Sequence, residues 1–242
     1  MELEKIISGL NHLHFFLISL FGFSFLYFTF STLSYFIIQK QKLFSAVQHK
    51  SFRPGQIKNE ILRSFLSIIM FSVLALWMCQ ALKSGIYKFV YDFNVLTYLI
   101  EVVTLFFWNE IYFFVVHKLF HTKQLYKYHL DHHYSFVPSP FSAYSFHWSE
   151  GLLLGAVMPV IMFFHDFQFY AIMTLPIMSI VLNALGHSNL DFFPKAGINS
   201  LLSFSKRHSL HHQNPHKHFG FFLPWLDMAY DLISKKVLNA DH

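Results

Sequence analysis

Residues 102–133 read VVTLFFWNEIYFFVVHKLFHTKQLYKYHLDHH. The first fifteen residues are apolar, interrupted by one amide, Asn109, and one carboxylate, Glu110. The next seventeen carry five histidines: His117, His121, His129, His132 and His133. A hydrocarbon-like segment that ends in a burst of imidazole predicts a membrane helix delivering ligands to one face of the bilayer. A second cluster, HSLHH, supplies His208, His211 and His212 and repeats the HxxHH spacing.

Composition agrees with a membrane setting. The 242 residues are 54% hydrophobic and include 32 phenylalanines; 13% are charged, about half the usual share for a soluble domain. The net charge of +5 suits loops facing anionic lipid, and no nucleic-acid motif accompanies it. Cys79 is the single cysteine, which excludes an intrachain disulfide and leaves nitrogen and oxygen as metal ligands. The amino-terminal MELEKIISGL is not a basic leader, and the apolar run after it reads as an anchor.

Three stretches are long enough to cross a bilayer as helices, at about 20 residues per crossing. They are Phe15 to Ile38, Ile61 to Leu82, and roughly Val95 to Val116. A shorter run, Gly151 to Phe164, turns at HDF into a fifth, Phe167 to Gly186. These two predict a spanning or re-entrant hairpin that Pro159 and Pro176 kink. The expected architecture is therefore all-α and integral to the membrane, with four to five helices or hairpins in a single domain over residues 1–242. A histidine-rich helical cap completes it.

Lys40, Lys42, Lys50, Arg53 and Lys58 fall between the first two spans, whereas Lys83 and Lys88 alone fall between the second and third. The positive-inside rule makes the first loop cytoplasmic. The third helix then brings His117 to the cytoplasmic face, and the hairpin leaves and returns there with His147 and His187. The final segment, with Lys206, Arg207, Lys235 and Lys236, belongs on the same side. Every histidine cluster falls at one face without any assumption about metal.

On a helix, positions i, i+3 and i+4 share a side. His117 with His121, the triplet His129, His132 and His133, and the triplet His208, His211 and His212 can each aim at a common point. His187 arrives at the same level. Nine candidate ligands exceed one tetrahedral zinc and suit two metal ions. Seventeen histidines make one i, i+4 pair ordinary, but not two HxxHH triplets with an HxxxH on one face. His12, His14, His49, His165 and His242 stand outside the clusters and read as interfacial or solvated.

The order HxxxH, HxxHH, a lone histidine after an apolar hairpin, then HxxHH resembles the fatty acid hydroxylase/sterol desaturase superfamily over residues 109–231. NEIYFFVVHKLFH resembles its acidic-aromatic approach, with Glu110 seven residues before His117. FSAYSFHWSEGLLLG resembles its HPxE element, with His147 and Glu150. NALGHSNLDFFP resembles its NxxxH stretch, with Asn183 and His187. LPWLDMAYD resembles its closing segment, with Asp227. Lys118, Trp148, His218 and Leu226 depart from the pattern, which weakens any transfer of a particular substrate.

The resemblance implies two iron ions, zinc being a possible replacement, held by the nine histidines with His147 and His218 as possible extras. It implies O2-dependent hydroxylation or desaturation of a long-chain or sterol-like lipid. Electrons would come from a separate carrier, cytochrome b5-like or ferredoxin-like, and the membrane would be the bacterial inner membrane or the ER. Glu110, Glu150, Asn183 and Asp227, and also Asp131, are candidates to steady the ligands, Glu110 foremost, because ligating histidines donate their second N–H to an acceptor. Two rivals are a histidine-rich metal transporter and an inactive zinc-binding membrane protein. The transporter requires ionisable residues in mid-span, where Glu101 is the main one. A larger acyl desaturase fits less well, since His187 stands alone between the two HxxHH boxes.

Overall fold

The computed structural model describes residue 5 and residues 9–39 and 44–240, with side chains for residues 5, 9–37 and 44–234. Residues 1–4 and 6–8 of the amino-terminal anchor reading, Lys40 and Lys42 of the charge count, and His242 lie outside the described residues; Lys235 and Lys236 are described by backbone alone.

The protein is a multi-pass membrane protein built mainly of helices. Helix α1 spans His12–Leu33 and widens into a π-helical turn, Ser34–Gln39. Helices α2 (Gln56–Lys83) and α3 (Val95–Phe120) follow. The short α4 (Tyr126–His133) carries the first HxxHH box. Next come α5 (Trp148–Gly155), α6 (Val157–Met162) and α7 (Phe169–Gly186), then α8 (Phe204–Gln213) with the second box and α9 (Pro224–Ala240). Strands β1 (Ser45–Ala46) and β2 (Leu190–Asp191) pair antiparallel, Ser45 opposite Asp191.

Among the described residues, four segments are long and apolar enough to cross a membrane: His12–Ile37, α2, α3 and α7. Their outward faces are apolar; Phe21 and Phe25 on α1 and Ile100 and Val103 on α3 are more than half exposed. In lipid such a surface needs no polar cover.

The predicted fourth arm is two short helices that meet at Ala156 rather than one helix from Gly151. Pro159 explains the break: it has no N–H for the Gly155 carbonyl, and its ring crowds that turn. Carbonyls around the break accept from neighbouring side chains, two on α3 and one in the loop after α2. Tyr112 Oη donates to Leu153 O at 2.7 Å, Trp108 Nε1 to Val157 O at 2.8 Å, and Tyr87 Oη to Pro159 O at 2.8 Å. Pro176 lies inside α7, which continues through it.

One buried cluster gathers Met78, Leu105, Phe167, Ile172 and Leu175 at the end of the bundle away from the histidines. A second, with Tyr27, Ile68, Phe71, Tyr144 and Ile180, lies toward them. Glu101 does not open a path through the bundle: it accepts from Gln168 N and faces His165 Nε2, both at 3.0 Å. His165 thus meets Glu101 as a hydrogen-bonding partner and is not only a solvated side chain.

Candidate metal centre

The nine clustered histidines form two groups. His117, His121, His129, His133 and His211 make one; His132, His187, His208 and His212 make the other. Within each group the available ring nitrogens lie within 4.8 Å of one another. The HxxHH triplets therefore do not each converge on one point. In α4, His129 and His133 serve the first group and His132 the second; in α8, His208 and His212 serve the second group and His211 the first. Helical geometry gives the reason. Positions i and i+4 differ by about 40° around the axis, whereas i+3 lies about 100° from i+4. Each box sends a pair one way and a single residue the other, and the two boxes do so in opposite senses.

Five of the rings are anchored through Nδ1. His117 Nδ1 donates to Phe219 O at 2.7 Å, His187 Nδ1 to Asn183 O at 2.8 Å, and His211 Nδ1 to Lys217 O at 2.7 Å. His132 Nδ1 faces Ser145 O at 3.3 Å, and His129 Nδ1 donates to Glu150 Oε1 at 2.7 Å. A carbonyl only accepts, so these contacts put the proton on Nδ1 and leave Nε2 bare in a neutral ring.

The bare nitrogens face one another. His132 and His187 approach Nε2 to Nε2 at 3.3 Å, and His117 and His129 at 3.2 Å. Two lone pairs at that separation repel unless a cation lies among them. His208 Nδ1, His211 Nε2 and His212 Nδ1 are also buried without a partner among the described residues. The donor set fits metal ions, and its all-imidazole character suits iron or zinc.

Burial keeps the rings neutral. It pushes His133 down to about 3 and His187 to about 4, with neighbouring histidines adding to the effect. His129, His132, His208, His211 and His212 lie well below the ordinary imidazole range for the same two reasons. Burial comes first for His121 as well.

Among the acidic candidates, Glu150 is the one that meets a histidine directly, on a side chain 1% exposed. Glu110 differs from expectation. Its Oε2 accepts from Phe222 N at 2.7 Å and Leu223 N at 3.0 Å, so it holds backbone rather than imidazole. Asp227 does likewise, accepting from Phe219 N at 2.8 Å and Gly220 N at 3.0 Å. Together they pin the segment whose Phe219 carbonyl anchors His117. Asn183 contributes its carbonyl, not its amide, to His187. Asp131 pairs with Arg63.

His147 and His218 stay outside both groups. His147 caps α5, its Nδ1 2.8 Å from Ser149 Oγ. His218 occupies a left-handed conformation, φ 59°, where the chain turns toward Phe219.

Two supporting residues carry no motif. Glu60, fully buried, accepts from Gln56, Ser135 and Ser139 and braces the loop after α4. A carboxylate entering an apolar span one turn after a glutamine was the available signal. Arg207, counted in the sequence among the charges of the final segment, is 1% exposed and donates to Ile198 O, Ser200 O, Phe221 O and Phe222 O.

A cavity of about 110 Å³ approaches the histidines from within the bundle, between α1, α2, α3, α5, α6 and α7. Phe113 and Phe146 form its inner end. Their ring centroids lie 4.9 Å from His117 and 5.1 Å from His132, one residue of each histidine group.

The model of the fatty acid hydroxylase family matches residues 102–231, more than half of the chain. A Delta(7)-sterol 5(6)-desaturase of Gibberella zeae is 26% identical over 211 residues, 86% of this chain and 64% of that protein. Another, of Aspergillus fumigatus, is 32% identical over 130 residues, 52% of this chain and 40% of that protein. A very-long-chain aldehyde decarbonylase of Oryza sativa subsp. indica is 31% identical over 131 residues, 50% of this chain and 21% of that protein. The chain thus spans less than two thirds of the length of each of these relatives. No solved structure gives a significant match.

Proposed function

The chain belongs to the fatty acid hydroxylase family, and on that premise we propose that it is a membrane lipid oxidoreductase whose nine clustered histidines hold two iron ions. The reaction is an O2-dependent hydroxylation or desaturation of a long-chain or sterol-like lipid. The observation that carries this reading is the pairing of bare Nε2 atoms at about 3 Å in both groups, with each Nδ1 proton committed elsewhere. The relatives named as sterol desaturases and as an aldehyde decarbonylase support a lipid substrate.

When bound, the iron pair supplies oxidation of an unactivated C–H bond, which side chains alone do not perform. The protein's part is positioning. Carbonyls of Phe219, Asn183, Ser145 and Lys217 hold the Nδ1 protons, and Glu150 makes His129 more basic through its Nδ1–H. Glu110, Asp227 and Arg207 keep the Phe219 to Leu223 segment in place. Phe113, Phe146 and Phe221 pack against the imidazoles and exclude water. The lipid reaches Phe113 and Phe146 through the apolar cavity. The positive-inside rule puts this end of the bundle on the cytoplasmic face, where a separate electron carrier docks.

The test is metal content and oxygen use measured together on purified protein, beside His132→Ala and His211→Ala. These variants remove one ligand from each group. About two metals per chain and O2 consumption on reduction, lost in both variants, is the expected result. Two metals with no O2 use after anaerobic iron loading and supply of a donor would favour an inactive zinc-binding protein. No bound metal after reconstitution would overturn the reading.

A further inference from the structure

Asn183 lines the cavity one turn before His187. Its Nδ2 donates to Ser179 O at 2.8 Å. Because a carbonyl only accepts, that bond fixes which way the amide faces and leaves Oδ1 as an acceptor. Asn183 is 8% exposed, and Oδ1 is buried with no partner among the described residues. A buried acceptor of this kind in a native structure calls for a ligand or an ordered water.

Of the other polar side chains on the wall, Tyr112 Oη donates to Leu153 O at 2.7 Å. The lining is mainly apolar and aromatic. The wall carries no carboxylate, and among its described residues Asn183 Oδ1 is the buried polar atom without a partner.

We propose that Asn183 Oδ1 recognises a hydroxyl group on the lipid substrate. The chemistry narrows the ligand. An acceptor selects an O–H donor over an ether, ester or ketone, which cannot donate. An ammonium would find no counter-charge on this wall. Asn183 lies about 6 Å along α7 from His187, so a hydroxyl held there sits at the histidine end of the cavity. This inference rests on the cavity being the lipid route to the histidines, as in the proposed function.

The test is competitive photolabelling of the purified full chain in detergent. The probe is a 1-decanol carrying a diazirine at its far end, and labelled peptides are read by mass spectrometry. Decan-1-ol, 1-methoxydecane and decane compete. In the wild type decan-1-ol should displace the probe from the cavity wall about tenfold better than the ether or the alkane. In Asn183→Leu and Asn183→Ala the three should compete equally. Retained metal content reports the fold of both variants, since the Asn183 carbonyl, and not its side chain, holds His187. Should either variant lose metal, the alcohol-to-ether comparison in the wild type still decides. Equal competition in the wild type, a preference that survives Asn183→Leu, or no labelling of the cavity wall would each overturn the inference. An intact alcohol preference in a protein that uses no O2 would overturn the proposed activity and leave this recognition standing.

Discussion

Gly186 separates the bundle from the centre by the width of one hydrogen atom, and Gly186→Ala measures what that space does. A Cβ built there would lie 2.1 Å from Phe221 Cζ, 2.8 Å from Cε2 and 2.9 Å from Cε1. Ordinary contact begins near 3.4 Å, so the ring tip must withdraw by 3.4 − 2.1 = 1.3 Å. Phe221 is 3% exposed, and the space around it is occupied: its centroid is 4.7 Å from His208, 5.4 Å from Phe113 and 5.9 Å from His187. If α7 yields instead, it carries His187, the next residue, with it. Either movement far exceeds the roughly 0.2 Å tolerance of a metal–nitrogen bond. The cost of overpacking is about 1–3 kcal/mol, which in a chain of this size lowers the melting temperature by roughly 2–4 °C per kcal/mol. Metal content should fall from about two per chain toward one, because His187 and His208 belong to the same group. Thermal unfolding in detergent and metal analysis read the two effects. Phe221→Leu in the Gly186→Ala background should restore part of both, a coupling that a double-mutant cycle isolates. A Gly186→Ala protein with wild-type melting and metal content, or a cycle showing no coupling, would refute the packing account.

Three further outcomes follow from the same geometry. Glu150→Ala should weaken metal binding about 10–100-fold, as read by chelator competition, and Glu150→Gln should weaken it less because its amide oxygen can still accept from His129 Nδ1. Metal-free protein should be most stable above about pH 6.5 and lose stability progressively toward pH 4, followed by its melting temperature. His187 titrates at about 4 in the fold, so the unfolded chain takes up protons that the folded chain refuses and acid favours unfolding. His218→Asn should raise stability by up to about 1 kcal/mol in thermal melts, because φ 59° favours asparagine over histidine; unchanged melting would mean that the turn carries no strain.

The spans and the nine clustered histidines were legible because hydropathy and i, i+3, i+4 spacing are local properties. A run of twenty apolar residues predicts a crossing whatever packs against it. The division of each HxxHH box between two groups was not legible, because it depends on how α4 and α8 face each other across the centre. Glu110 and Glu150 show the same limit. Both are carboxylates among apolar residues near a histidine motif, and sequence ranked Glu110 first. Their partners lie at Phe222 and His129, positions fixed by tertiary contact alone. Arg207 entered the sequence reading only as one charge of the final segment, because its four carbonyl partners come from two loops that no periodicity links to it. The helix break was anticipated only as a kink, since Pro159 marks where a hydrogen bond fails and not which neighbours replace it.

The crossed sharing of the two HxxHH boxes sets the order in which the centre can be assembled during synthesis. The first group needs His211 and the second needs His208 and His212. A nascent chain that has inserted α1 through α7 therefore carries two partial ligand sets and no complete one. Both are completed together when α8 emerges, and their bracing waits for Asp227 on α9. Premature termination before α8 leaves neither group whole, so an incomplete chain cannot retain a half-built centre with one full set of ligands.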